Sequence, residues 1–215
     1  MSVGRNGLID DRPDAVLKLL TLGDSGVGKT SFVLQFIEGT FTEKFVPTIG
    51  MDLREKLMTY QDHLKEERKV YLEIWDTAGQ ERFRSLTTAF FRDAMGFLLI
   101  FDISRKDTFV NVRSWLSQLQ LHSNCDDPAM VLIGNKNDLD IREVDENSAI
   151  QLARNLGIKY FETSAKTGQN VYEAVETLMN IIMSRFKQYP ERMDNMKWRS
   201  KKLENKKQED STCYC

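Results

Sequence analysis

The chain has 215 residues, 41% hydrophobic and 29% charged, with a formal net charge of −2. That length suits one well-buried α/β domain rather than two, and the near-neutral balance gives no reason to expect nucleic acid as a partner. Cys125, Cys213 and Cys215 make no disulfide framework, Met1 to Arg12 is too polar for a secretory signal, and no apolar run is long enough to span a bilayer. A reducing compartment is expected, and any membrane attachment must come from something other than a transmembrane helix.

In chain order, Val16–Leu22 is a short apolar run leading into a glycine-rich loop, and Lys29–Ile37 reads as the first helix. Two β-rich stretches follow at Leu53–Tyr60 and Val70–Trp75. Between them the charged segment Gln61–Lys69 reads as a hairpin-like excursion longer than a tight turn. Gly96–Asp102 and Ala129–Gly134 are continuous apolar runs, as strands covered on both faces should be. Phe109, Val112, Leu116 and Leu119 repeat at helical spacing. So do Val171, Ala174, Val175, Leu178 and Ile182, behind Asn170 and Glu173 placed as a capping-box variant. The last helix should fray near Tyr189-Pro190. Strands alternating with helices predict a mainly parallel sheet. Residues 1–14 read as a flexible start, 15–187 as one domain, and 188–215 as a polar tail. From Arg185 to Lys207 the tail region carries nine Lys/Arg against three Asp/Glu, which reads either as a membrane-attracted segment or as a solvated linker.

Five short blocks carry the chemistry. Gly23-Asp24-Ser25-Gly26-Val27-Gly28-Lys29-Thr30 fits the phosphate-loop template between a predicted strand and helix. Its glycines let successive N–H groups face phosphate oxygens, and the helix adds its positive end. Lys29 is placed to reach the β and γ phosphates, and the Thr30 hydroxyl to ligate Mg²⁺. The alternative, a glycine-rich turn before a helix, carries little weight in this context. Asp76-Thr77-Ala78-Gly79-Gln80 alone reads as a helix N-cap and turn. Beside a phosphate loop, Asp76 is placed to hold Mg²⁺ through a water, Gly79 to offer a backbone N–H to the γ-phosphate, and Gln80 to orient an attacking water.

Two further blocks, Asn135-Lys136-Asn137-Asp138 and Ser164-Ala165-Lys166, read the base. Guanine presents adjacent N–H donors on its Watson–Crick edge, which a carboxylate at Asp138 can accept; adenine does not. Asn135 can tie loops together and Lys136 can lay its stem over the ring. Ser164-Ala165-Lys166 offers a second clamp through a backbone N–H. Pro47-Thr48 completes the order.

On these residues the chain resembles the Ras superfamily of small GTPases, and within it the Rab family, over about Val16 to Phe186. The Rab-like segments are Ile49-Gly50-Met51-Asp52-Leu53, Trp75 to Phe83, Phe90 to Gly96 and Leu99 to Asp102. The run Ser85–Leu99 and the charged excursion most resemble the Rab twenty-seven subfamily of secretory-vesicle GTPases. The resemblance implies a six-stranded, mostly parallel P-loop NTPase domain that hydrolyses GTP to GDP, slowly without an activating partner. It implies nucleotide contacts from Asp24 through Ser31, from Phe41 packing on guanine, and from Thr48, Gly79, Asn135, Lys136, Asp138, Ser164, Ala165 and Lys166. Thr48 would also touch Mg²⁺, and Gln80 would be catalytic. Trp75 and Phe90 match two members of an aromatic triad read by Rab effectors, although each alone reads as ordinary core. Leu53 stands where Rabs usually carry phenylalanine, which puts effector affinity in question.

The family further implies an exchange factor, a GTPase-activating protein, GTP-dependent effectors such as vesicle tethers or motor adaptors, a Rab escort protein and a GDP-dissociation inhibitor. Cys213-Tyr214-Cys215 is not a C-a-a-X box, since Thr212 stands where that needs cysteine. It resembles the Cys-x-Cys endings that receive two geranylgeranyl groups; otherwise these are two free thiols. The expected location is the cytoplasmic face of secretory vesicles, prenyl-anchored, with a cytosolic pool. His63 and His122 lack metal-ligand spacing and are assigned no role. A phosphotransferase or ATPase is the competing class, opposed by the guanine-type Asp138 and the lack of an acceptor or lid segment. A GTP-locked scaffold is opposed by Gln80.

Overall fold

Parallel strands whose side chains alternate between two buried faces need helices on both sides, and that requirement organises the molecule. The computed structural model describes residues 13–43, 48, 50–61, 65–77, 91, 93–123 and 128–188. Its elements are β1 (Ala15–Leu22), α1 (Lys29–Glu38), β2 (Met51–Gln61), β3 (Glu67–Thr77), β4 (Gly96–Asp102), α2 (Lys106–His122), β5 (Ala129–Asn135), α3 (Glu146–Leu156), β6 (Lys159–Thr163) and α4 (Val171–Gln188). The strands form one six-stranded sheet in the order β2-β3-β1-β4-β5-β6. All neighbours are parallel except β2 and β3, which are antiparallel. This is the mostly parallel α/β sheet that the sequence predicts.

The alternation is visible in the packing. Leu17, Leu19, Leu98, Ile100, Val131 and Ile133 face a core shared with Phe32 and Phe36 of α1 and with Val175, Leu178 and Ile182 of α4. Leu20, Leu22, Phe97, Leu99, Phe101 and Leu132 face the opposite core, closed by Val112, Trp115 and Leu119 of α2 and by Ala149 and Ala153 of α3. Every residue of β4 is buried, as its unbroken apolar run requires.

Two expectations change. The charged segment Gln61–Lys69 is less of an excursion than it reads. Gln61 pairs with Glu67, Tyr60 with Arg68 and Thr59 with Lys69, so both ends of the segment are strand. At the start of α4, Asn170 does not adopt a capping-box geometry. Its φ is 55°, in the left-handed region, and its side-chain amide donates to the Glu162 carbonyl at 2.8 Å, tying α4 to β6.

Candidate functional site

The loops that leave the C-terminal ends of β1, β5 and β6 meet one another, with the end of β3 beside them, as ligand sites in open parallel sheets do. The 23–28 loop can be built only with glycine at its ends. A Cβ on Gly23 would lie 2.0 Å from the Ile100 carbonyl oxygen. One on Gly28, whose φ is 93°, would lie 2.5 Å from Nδ2 of Asn135. Gly28 is the N-cap of α1, so the helix directs its positive end into the loop. Lys29 is 5% exposed and donates to the carbonyls of Gly23 and Asp24, each at 2.8 Å. Burial pulls its ammonium down to about 8, with Asp76 and Asp24 opposing the shift.

Oxygen ligands gather at the mouth of this loop. Thr30 Oγ1 donates to Asp76 Oδ2 at 2.5 Å and shares a hydrogen bond with Thr48 Oγ1 at 2.7 Å. Asp76 is 1% exposed at the end of β3, and Thr21 Oγ1 donates to its Oδ1 at 3.3 Å. Burial holds this carboxyl above its usual value, and the Thr30 bond, the Lys29 charge and the Thr21 bond pull it back. The set Thr30, Thr48 and Asp76 consists of oxygens alone, which fits a hard cation such as Mg²⁺ and not a soft metal.

The base-reading blocks are joined through Asn135, which is 1% exposed. Its Nδ2 donates to the Val27 carbonyl at 2.9 Å, and its Oδ1 accepts from Thr163 Oγ1 at 3.1 Å and from Ala165 N at 3.2 Å. One side chain of β5 therefore joins the 23–28 loop, β6 and the 164–166 loop. Ser164 Oγ donates to Asp138 Oδ1 at 2.6 Å, bringing the 135–138 and 164–166 blocks into contact. Lys136 has φ 72°, and its Nζ is 2.7 Å from Asp102 Oδ2. Phe41 is 37% exposed, and Lys166 Nζ pairs with Glu43 Oε1 at 3.2 Å.

Asp24 is turned away from the loop's interior. Its carboxylate accepts from Trp115 Nε1 at 2.9 Å and from Asn111 Nδ2 at 2.7 Å. Leu53 and Trp75 are cross-strand partners on β2 and β3, with Leu53 exposed and Trp75 half-buried beside the second core. Gly79, Gln80, Phe90, Cys213 and Cys215 lie outside the described residues.

Some residues here have no motif to announce them. Asp102 ends β4 fully buried and pairs with Lys136; a lone acid closing an apolar run is the signal that could have found it. Arg142 donates from Nη1 and Nη2 to the two carboxylate oxygens of Glu162, each at 2.7 Å, and from Nη2 to Asn137 Oδ1 at 3.1 Å. It thereby braces the base-reading loop from β6. Nothing in its local sequence marks it.

A model of the Ras family matches residues 18–184. The chain is 51% identical to Ras-related protein Rab-27B of Homo sapiens, over 97% of this chain and 100% of that protein. Rab-27B of Rattus norvegicus is 50% identical with the same coverage. Ras-related protein Rab-27A of Homo sapiens is 54% identical over 80% of each chain. With the family model covering most of the chain and the Rab-27B relatives matching nearly end to end, the chain belongs to the Ras family, in its Rab branch beside the Rab-27 proteins, and is a GTP-hydrolysing switch of vesicle traffic.

Proposed function

We propose that guanine nucleotide lies with its phosphates in the 23–30 loop and its base between the 135–138 and 164–166 loops. The observation that carries this reading is the convergence of Thr30, Thr48 and Asp76 oxygens beside buried Lys29. A cation and an anion have adjoining places there. When bound, Mg²⁺ would supply positive charge against the phosphates, held by the Thr30 and Thr48 hydroxyls and by Asp76 through a water. Lys29 would exchange its two carbonyl acceptors for phosphate oxygens. Asp138 would accept the two guanine donors, Phe41 would pack on the ring, and the 164–166 loop would give a backbone N–H to the guanine carbonyl.

Gln80 orients the attacking water, and Gly79 and Thr48 respond to the γ-phosphate, so GTP orders the surface that effectors read. Leu53, Trp75 and Phe90 belong to that surface. Exchange factor, activating protein, effectors, escort protein and dissociation inhibitor are the expected partners. The domain spans 15–187, between residues 1–14 and a 188–215 tail. Cys213 and Cys215 carry prenyl groups that hold the protein on the cytoplasmic face of secretory vesicles.

Nucleotide competition tests the base assignment. Wild type should hold GDP and GTP far more tightly than ATP. Asp138→Asn should lose guanine affinity by at least about 100-fold, the worth of a charged pair of hydrogen bonds. It should also gain preference for xanthine nucleotides, whose edge offers an acceptor. Undiminished guanine preference in the variant would overturn the role given to Asp138.

A further inference from the structure

Arg105 occupies a costly position. It is the N-cap of α2, where Ser, Thr, Asp or Asn would normally bond the first free N–H groups, and its side chain makes no cap bond. Its charge also sits at the positive end of the helix. The guanidinium instead crosses to the phosphate loop. Nη2 donates to the Ser25 carbonyl at 3.3 Å, and Nη1 lies 4.0 Å from where a Cβ on Gly26 would be. Nε is buried without a hydrogen-bond partner and faces Asp102 Oδ2 and Asp107 Oδ1, each 3.9 Å away.

The adjoining turns of α2 hold the same loop. Asn111 and Trp115 donate to the Asp24 carboxylate, so three side chains from residues 105–115 grip Asp24 and Ser25 from outside. Lys29 holds Gly23 and Asp24 from inside. Asp102 receives Ser104 N and Oγ at 2.9 and 2.6 Å, stands beside Arg105, and pairs with Lys136 of the base-reading loop. The corner between β4 and α2 thus touches both the phosphate loop and the base loop.

We propose that Arg105 is a positioning residue for the nucleotide phosphates. It holds the apex of the 23–28 loop in its anion-binding shape from outside. The proposal rests on the phosphate-site reading given above. Fixing the Ser25 carbonyl outward keeps the neighbouring N–H groups turned inward, where successive amides cradle an anion. The guanidinium also adds positive charge behind the loop. It is 43% exposed, so the screened contribution corresponds to an effect of about 3- to 10-fold.

The test is a phosphate ladder. Release rates of fluorescent GDP and GTP, and equilibrium affinities for GTP, GDP and GMP, are measured for wild type, Arg105→Ala, Arg105→Lys and Arg105→Asn. The asparagine supplies a good helix cap without a guanidinium, which separates the loop contact from helix stability. Ala and Asn should both speed GDP and GTP release by about 3- to 10-fold and leave GMP affinity within about 2-fold of wild type, with Lys intermediate. Unchanged release, an equal loss for GMP, or wild-type rates in Arg105→Asn would each overturn the proposal. A wild type that bound GMP as tightly as GDP would instead overturn the phosphate-site reading itself.

Discussion

Asn135 concentrates more of the site than any of its neighbours. One buried amide serves the Val27 carbonyl, the Thr163 hydroxyl and the Ala165 N–H, so three loops share a hinge point. Gly28 completes this arrangement: any side chain there would strike the Asn135 amide. Asn135→Ala would leave three buried polar groups without their partner, each unpaired group costing about 1–3 kcal/mol before water fills the gap. The GDP-bound protein should therefore unfold with a stability loss of about 2–4 kcal/mol, measured by denaturant titration, and release GDP faster. A loss below about 1 kcal/mol would mean that the three loops hold each other without this side chain.

At the scale of elements, β6 joins the two halves of the proposed base site. Glu162 on this strand accepts both Arg142 bonds and the Tyr160 hydroxyl at 3.0 Å. The Arg142 guanidinium holds the Glu162 carboxyl below its usual range, burial opposes, and Tyr160 adds to the lowering. A carboxyl depressed in the folded state stabilises the fold above its unfolded value of about 4.3 and loses that contribution as pH falls through the folded value. Glu162→Gln should cost about 1 kcal/mol at pH 7. Compared by thermal unfolding of the GDP-bound proteins, the gap between variant and wild type should close as pH falls below about 4. A gap that stayed constant with pH would assign the loss to packing and not to the ion pair.

Legibility also divides by element. β4 and β5 are readable because both faces are buried, so their apolar runs are unbroken. The 23–30, 135–138 and 164–166 blocks are readable because each is a short contiguous motif whose residue types a bound phosphate or base would constrain together. β2 lies at the sheet edge with most side chains exposed. Its pairing with β3 continues into charged sequence, where hydrophobic alternation gives no signal. The sequence marks neither α3, with only Ala149 and Ala153 fully buried, nor β6, with five residues and a mostly half-buried face. Asn170 looked like a cap because of its spacing from Glu173, yet its amide is used across the fold, on β6. Arg105, Asn111 and Trp115 carry no local signal for the same reason: their contacts to the 23–28 loop span 80, 87 and 91 residues.

For the whole molecule, the direction of α4 sets where the last described element ends relative to the proposed nucleotide site. α4 begins beside the 164–166 loop, where Val171 N donates to the Gly168 carbonyl. Farther along, Leu178 and Ile182 pack on Gly96, at the start of β4 and away from the loops that hold the site. α4 therefore runs toward the end of the sheet opposite the proposed nucleotide site. Among the described residues no helix is long and apolar enough to cross a membrane. Cys213 and Cys215 are far in sequence from the loops proposed to hold the nucleotide, so changing the cysteines should not alter GTP binding. Each buried CH₂ of a lipid chain contributes about 0.8 kcal/mol, and one chain holds only reversibly. Basic residues near an anionic surface add about 1 kcal/mol each, screened within a Debye length of about 10 Å at 0.1 M salt. In cell fractionation Cys213→Ser or Cys215→Ser should weaken retention, with the remainder falling as salt rises, and the double change should abolish it. A double variant that kept its membrane fraction, with GTP binding intact, would show that protein contacts and not lipid hold the switch in place.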